Sequence, residues 1–88
     1  MLARVRLFAI ARERAGVSTL EIELPEGSTV LDLKSRIARE VPSLALLLPT
    51  IRLAIDAEYA DDGTTIATGS DLALIPPVSG GSDLGMVR

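Results

Sequence analysis

The chain has 88 residues, 48% of them hydrophobic and 24% charged, and these values predict one folded domain rather than a disordered segment. It contains neither cysteine nor histidine, which excludes disulfides, thiolate chemistry and the usual neutral-pH base, so we do not expect a self-contained enzyme. A net charge of −3 with two aromatic residues argues against nucleic-acid binding, and no apolar run approaches the ~20 residues that span a bilayer; we therefore expect a cytoplasmic protein.

The amino-terminal part predicts two strands and a connector. In "ARVRLFAI" the alternation places Val5, Leu7 and Ala9 on one face of a strand and Phe8 on the other. "ARERAG" predicts a helical turn or connector that Gly16 ends, and "STLEIEL" alternates again. Two strands with a short connector predict an antiparallel pair.

The middle of the chain predicts the main helix. In "STVLDLKSRIAREV", Ser28 or Thr29 can cap the first turn, and Val30, Leu33 and Ile37 recur at helical spacing. The apolar "SLALLLP" that follows is interpreted as a turn that fills the core.

The remaining strands are "IRLAI", a short "EYA" after it, and "LALIPP" at the end. The last of these is almost uninterruptedly apolar, which is typical of a strand buried on both faces at the centre of a sheet. Strand pairing should fade at Pro76, which lacks an amide donor. The predicted fold class is therefore α+β, a mixed sheet of about five strands with one main helix on its apolar face.

The charges are unevenly distributed. No lysine or arginine occurs from Leu53 to Val87, although several aspartates and one glutamate do. Such a stretch would suit docking onto a basic protein surface.

Two candidate sites fail on their own chemistry. "DAEYADDG" resembles half of a calcium loop, but the loop would need oxygen ligands at Ala60 and Gly69. Ser79 has no base near it to take its proton. No metal-binding or catalytic residue is therefore predicted.

The stretch "PPVSGG" is the most informative. Prolines project the chain stiffly from the sheet, and Gly80 and Gly81 offer a backbone without Cβ atoms that a narrow channel in a partner could hold. A bare Gly-Gly is more typical of a linker before a disordered end, and it is the buried strand ending in Pro-Pro that favours the docking interpretation here.

From Val5 to Gly81 the sequence resembles the MoaD/ThiS family of ubiquitin-like sulfur carriers. The resemblance is carried by "VRLFAIARERAG", "LEIELPEGSTVLDLKSRI", "RLAIDAEYADD" and "GSDLALIPPVSGG", and the first and last blocks favour the branch of molybdopterin synthase small subunits. It implies a β-grasp domain over residues 1–81, with first and last strands parallel, and a C-terminal extension over residues 82–88.

The resemblance also implies a function and its residues. An E1-like adenylyltransferase would use ATP to activate the carboxylate of Gly81, which would then carry sulfur as a thiocarboxylate into the large subunit of molybdopterin synthase, with no cofactor bound to the carrier. Gly80, which has no side chain, would let the tail fit into a narrow channel of the partner. The residues expected to dock onto partners are Phe8, Tyr59, Ile75, Pro76, Pro77 and Val78.

The extension departs from the family pattern, in which the chain ends at the second glycine. Here Ser82 follows, so the carbonyl of Gly81 lies in an amide bond. Three alternatives remain open. A processing protease removes residues 82–88; or the chain is a binding or regulatory β-grasp module that carries no sulfur; or it is another ubiquitin-like carrier or a protein modifier that acts through Gly81.

Overall fold

Alternating apolar residues build one five-stranded mixed sheet in this computed structural model, which describes residues 1–77. The strands are β1 (Leu2–Leu7), β2 (Thr19–Glu23), β3 (Arg52–Ile55), β4 (Glu58–Ala60) and β5 (Leu72–Ile75). Their order across the sheet is β2-β1-β5-β3-β4. The β1–β2 pair is antiparallel and the β1–β5 pair is parallel, so both of these predictions are confirmed.

Strand β5 lies at the centre of the sheet, between β1 and β3. Leu72, Ala73 and Leu74 are all buried, although successive side chains of a strand point to opposite faces. The prediction of a central strand buried on both faces is therefore confirmed.

The main helix, α2 (Val30–Glu40), covers one face of this sheet. Its first turn is fixed by a capping box: the Asp32 amide donates to the Thr29 hydroxyl at 3.3 Å, and the Thr29 amide donates to the Asp32 carboxylate at 2.9 Å. The apolar stripe of α2 packs against the inner face of the sheet to form the core. The residues in this core with no exposed surface are Val5, Val30, Leu33, Ile37, Leu44, Leu53 and Leu74, together with Ala11.

A second, shorter helix, α1 (Ala9–Ala15), occupies the segment between β1 and β2. The predicted connector is thus seven helical residues, and Gly16 ends it in a left-handed conformation with φ 78°, its amide donating to the Arg12 carbonyl. The inward orientation expected for Ala9 is wrong. The chain leaves the sheet after Leu7, and Ala9 is exposed with φ 52° at the start of α1.

The apolar segment after α2 forms two short 3₁₀ helices, Pro42–Leu44 and Leu48–Thr50. Leu44 and Leu48 enter the core, as the core-filling interpretation requires, whereas Leu46 is 89% exposed and lies outside it. Among residues 1–77, no helix combines the length and the apolarity needed to cross a membrane.

Candidate docking surface

The face of the sheet opposite α2, here called the open face, carries the alternate side chains of the strands. The register places Ala73 of β5 between Arg6 of β1 and Ala54 of β3, and pairs Ala54 with Tyr59 of β4. At the end of β5, Ile75 lies opposite Arg52. Residues from four neighbouring strands therefore share this face.

The open face contains a depression of about 360 Å³ with an alanine floor. Ala54 and Ala73 are 5% and 6% exposed because the longer side chains around them cover their methyl groups. Because Ala54 and Ala73 are paired and both have small side chains, they form the bottom of a depression whose walls are the longer side chains around them. The residues that line it are Arg6, Phe8, Ala54, Ala57, Tyr59, Asp71, Ala73 and Ile75. The depression has the size and the apolar floor to receive one side chain of a partner.

The structure brings together three of the six residues that are expected to dock onto partners. Phe8, Tyr59 and Ile75 come from three separate parts of the chain, and all three line the depression. Phe8 is 42% exposed and Tyr59 54% exposed, so the predicted outward orientation of Phe8 is confirmed. Their role in docking stays a prediction.

The chain leaves the sheet beside this depression. Pro76 and Pro77 follow the last residue of β5 directly, and Pro76 is buried whereas Pro77 is exposed. Of these two predicted docking residues, only Pro77 is exposed enough for a partner to contact its side chain. The predicted roles of Val78, Gly80 and Gly81 fall outside the described residues.

Two arginines of the open face were missed by the sequence reasoning. The Arg6 guanidinium lies 2.8 Å from the Asp71 carboxylate and 5.7 Å from the centre of the Phe8 ring. The Arg52 guanidinium carbon lies 4.0 Å from the centre of the Tyr59 ring. Alternation along β1 predicts Arg6 on the same face as Phe8 but gives it no role in the site, whereas the Arg52 contact depends on the register of β3 with β4.

The hairpin between β3 and β4 borders the depression and is tied to β5. Its two turn residues, Asp56 and Ala57, have φ angles of 51° and 71°, both in the left-handed region. The Asp56 amide donates to the Asp71 carbonyl at 2.8 Å, and the Asp71 amide donates to the Asp56 carboxylate at 2.9 Å. The Asp56 carboxylate thus holds the hairpin against the start of β5. No cluster of three or more metal-ligating carboxylates occurs within residues 1–77.

These features define a class of protein: a small β-grasp module with an open sheet face next to the exit of its last strand. The ThiS family model matches residues 5–81, and the chain belongs to the ThiS family. It is 38% identical over 78 residues to the molybdopterin synthase sulfur carrier subunit of Arabidopsis thaliana, covering 89% of this chain and 81% of that protein.

Two solved structures have the same fold. One is SAMP1 of Haloferax volcanii, with 30% identity, a TM-score of 0.81 and coverage of 92% of this chain and 100% of that one. The other is a Pyrococcus furiosus protein assigned as subunit 1 of molybdopterin converting factor, with 28% identity, a TM-score of 0.79 and coverage of 89% and 99%. The recognition of the family and the β-grasp fold are thereby confirmed.

Proposed function

We propose that this chain is a sulfur carrier for molybdopterin synthesis, bearing sulfur as a thiocarboxylate on Gly81. The observation that carries the proposal is that the strand leading to Gly81 leaves the sheet beside an exposed apolar depression. A partner that binds the open face can therefore also receive the tail. The similarity to sulfur carrier subunits across most of the chain supports the same function.

The chemistry of such a carrier is supplied by its partners. A carboxylate oxygen of Gly81 attacks the α-phosphorus of ATP, pyrophosphate leaves, and an acyl adenylate forms. Hydrosulfide then attacks the acyl carbon, so that a C–S bond forms and the C–O bond to AMP breaks; the chain now ends in a thiocarboxylate, whose negative sulfur is a nucleophile. This sequence requires an E1-like adenylyltransferase and no acid, base or metal from the carrier, in keeping with a chain that lacks histidine and cysteine.

The extension must be removed before this chemistry can begin. Gly81 is joined to Ser82 by a peptide bond, so it has no free carboxylate. Hydrolysis of that bond by a processing protease would create one and release residues 82–88. The carrier would then act in the cytoplasm as a non-catalytic partner of the large synthase subunit.

Mass spectrometry of the chain purified from its own cells tests the proposal. We expect a species that ends at Gly81 and is heavier than the plain carboxylate by the difference between a sulfur and an oxygen atom. In a strain without the adenylyltransferase, the chain should still end at Gly81 but carry no sulfur. Full-length chain alone, in cells that are making molybdopterin, would contradict the proposal and favour a binding or regulatory module.

Protein modification is the second candidate, because SAMP1, the small archaeal modifier protein 1 of Haloferax volcanii, is 30% identical to this chain. A modifier would join Gly81 to a lysine of another protein by an isopeptide bond. Peptide mapping of high-mass conjugates would reveal that bond. Its presence in place of a free thiocarboxylate would decide for modification.

A further inference from the structure

Three arginines project from the open face, and they differ in how they are paired. Arg4 lies 3.0 Å from the Glu21 carboxylate and Arg6 lies 2.8 Å from that of Asp71. Within residues 1–77, Arg52 has no carboxylate within 4.0 Å. Arg52 is thus the one arginine on the described part of this face whose charge is not already matched by an ion pair.

Arg52 has an aromatic partner instead. Its guanidinium carbon lies 4.0 Å from the centre of the Tyr59 ring, which is a cation–π stacking distance. The N–H groups of a guanidinium lie in its own plane, so a guanidinium stacked on a ring does not use them on the ring and keeps them free to donate sideways. These groups form a fork of donors that matches the two oxygens of a carboxylate. The stack therefore favours one position of this carboxylate receptor before any partner binds, which lowers the entropic cost of binding.

Arg52 lies next to the end of β5, where the chain leaves the sheet, and next to the depression. Arg52 is paired in register with Ile75, the last residue of β5 and the residue directly before Pro76. Its stacking partner Tyr59, like Ile75, lines the alanine-floored depression. A partner that fills the depression and covers the end of β5 therefore lies close to Arg52, which neighbours both Tyr59 and Ile75.

We propose that Arg52 is a specificity-determining residue of the open face, where it binds a carboxylate side chain of the partner that receives the tail. The partner surface would present an apolar side chain to the alanine floor and an aspartate or glutamate beside it, at the entrance to its tail channel. This inference rests on the proposed function, since it takes the open face as the site where the synthase subunit docks. It adds the chemistry by which that subunit is selected.

Calorimetric titration of the chain ending at Gly81 with the large molybdopterin synthase subunit of the same organism tests the inference. We expect Arg52→Met to raise the Kd about tenfold or more, because it leaves a carboxylate of the partner desolvated and unpaired. Arg52→Lys should restore the affinity only in part, since an ammonium group offers no planar fork. Arg4→Met is the matched control: it removes an exposed arginine of the same face whose partner lies in β2, and it should leave the Kd within about twofold.

A second variant tests the same interaction by removing the ring on which Arg52 stacks. Tyr59→Leu keeps the depression apolar and the charge of Arg52 but removes the stack, so it should also weaken binding. In a double-mutant cycle, the loss of binding free energy in the double variant should be smaller than the sum of the losses in Arg52→Met and Tyr59→Leu, because either change alone already disrupts the stacked arginine. Binding of the wild type should weaken with salt more steeply than binding of Arg52→Met.

The outcomes separate the two claims. If the wild type binds and Arg52→Met binds equally well, the inference is overturned and the proposed function stands. If the wild type does not bind the large subunit at all, both are overturned. If Arg52→Met lowers the stability of the full-length chain but not the affinity of the chain ending at Gly81, the carboxylate belongs to residues 82–88, and the inference is again overturned.

Discussion

At the scale of single residues, the β3–β4 turn carries a conformational cost that can be removed. Ala57 has φ 71°, a conformation that costs a residue with a Cβ atom about 1 kcal/mol and glycine almost nothing. Ala57→Gly should therefore raise the free energy of unfolding by up to about 1 kcal/mol, as measured by urea denaturation.

The same substitution at a different alanine is the control. Ala67 is exposed and is not among the described residues with positive φ. Ala67→Gly should lower the stability by about 0.5–1 kcal/mol, because glycine loses more backbone entropy on folding. Equal changes at both positions would mean that the turn conformation at Ala57 is not strained.

At the scale of secondary structure elements, the start of α2 depends on its capping box. Thr29→Ala removes the hydroxyl that accepts from the Asp32 amide and should cost about 1 kcal/mol of stability. Ser35→Ala, in the exposed middle of the same helix, should leave the stability unchanged or slightly raised because alanine favours helix. Thermal unfolding followed by circular dichroism compares the two, and the prediction fails if they unfold together.

The segment after α2 offers a sharper contrast between two leucines. Leu44 has no exposed surface, whereas Leu46 is 89% exposed. Leu44→Ala should lower the free energy of unfolding by about 2–5 kcal/mol through lost burial and the cavity left behind. Leu46→Ala, the same change two residues away, should stay within about 0.5 kcal/mol of the wild type. A loss of 2 kcal/mol or more in Leu46→Ala, measured by chemical denaturation, would contradict this assignment.

This contrast also shows where sequence reasoning succeeds and where it ends. Alternation predicted β1 and β2, and helical spacing with a cap predicted α2, because each pattern repeats the geometry of its element. An almost uninterrupted apolar run predicted the central strand β5. In "SLALLLP" every residue is apolar or small, so no periodicity distinguishes the buried Leu44 from the exposed Leu46. Helix α1 was predicted only as a helical turn or connector because it has seven residues and buries a single one of them, Ala11, so it shows no apolar stripe.

The part of the candidate site that depends on the identity of single residues was predictable from the sequence, whereas the part that depends on strand register was not. Phe8, Tyr59 and Ile75 were named through the family resemblance, and the structure places them around one depression. The floor of that depression was missed because alanines are unremarkable in a sequence. The stack of Arg52 on Tyr59 was missed because strand register cannot be read from either strand alone.

At the scale of the whole molecule, the uneven charge distribution is partly balanced by tertiary contacts. Asp62 lies 3.2 Å from Lys34, and Asp71 lies 2.8 Å from Arg6, so cations of the first half meet acids of the second. The expected preference of the second half for a basic surface stays a prediction. It now applies chiefly to the carboxylates near the β3–β4 hairpin, whereas the Arg52 end of the open face favours an acidic group.

The parallel pairing of β1 with β5 has a mechanical consequence. The start of β1 and the end of β5 lie at opposite ends of the sheet, so a pull on the tail away from an anchored amino terminus loads their ladder in shear. Its hydrogen bonds then share the force at once, instead of opening one after another as in a hairpin pulled apart at its ends. In single-molecule stretching, we expect attachment at residues 1 and 77 to give a higher rupture force than attachment at residues 52 and 60, across the β3–β4 hairpin. A carrier built in this way can have its tail drawn through a narrow channel, or gripped by a protease, without its domain coming apart.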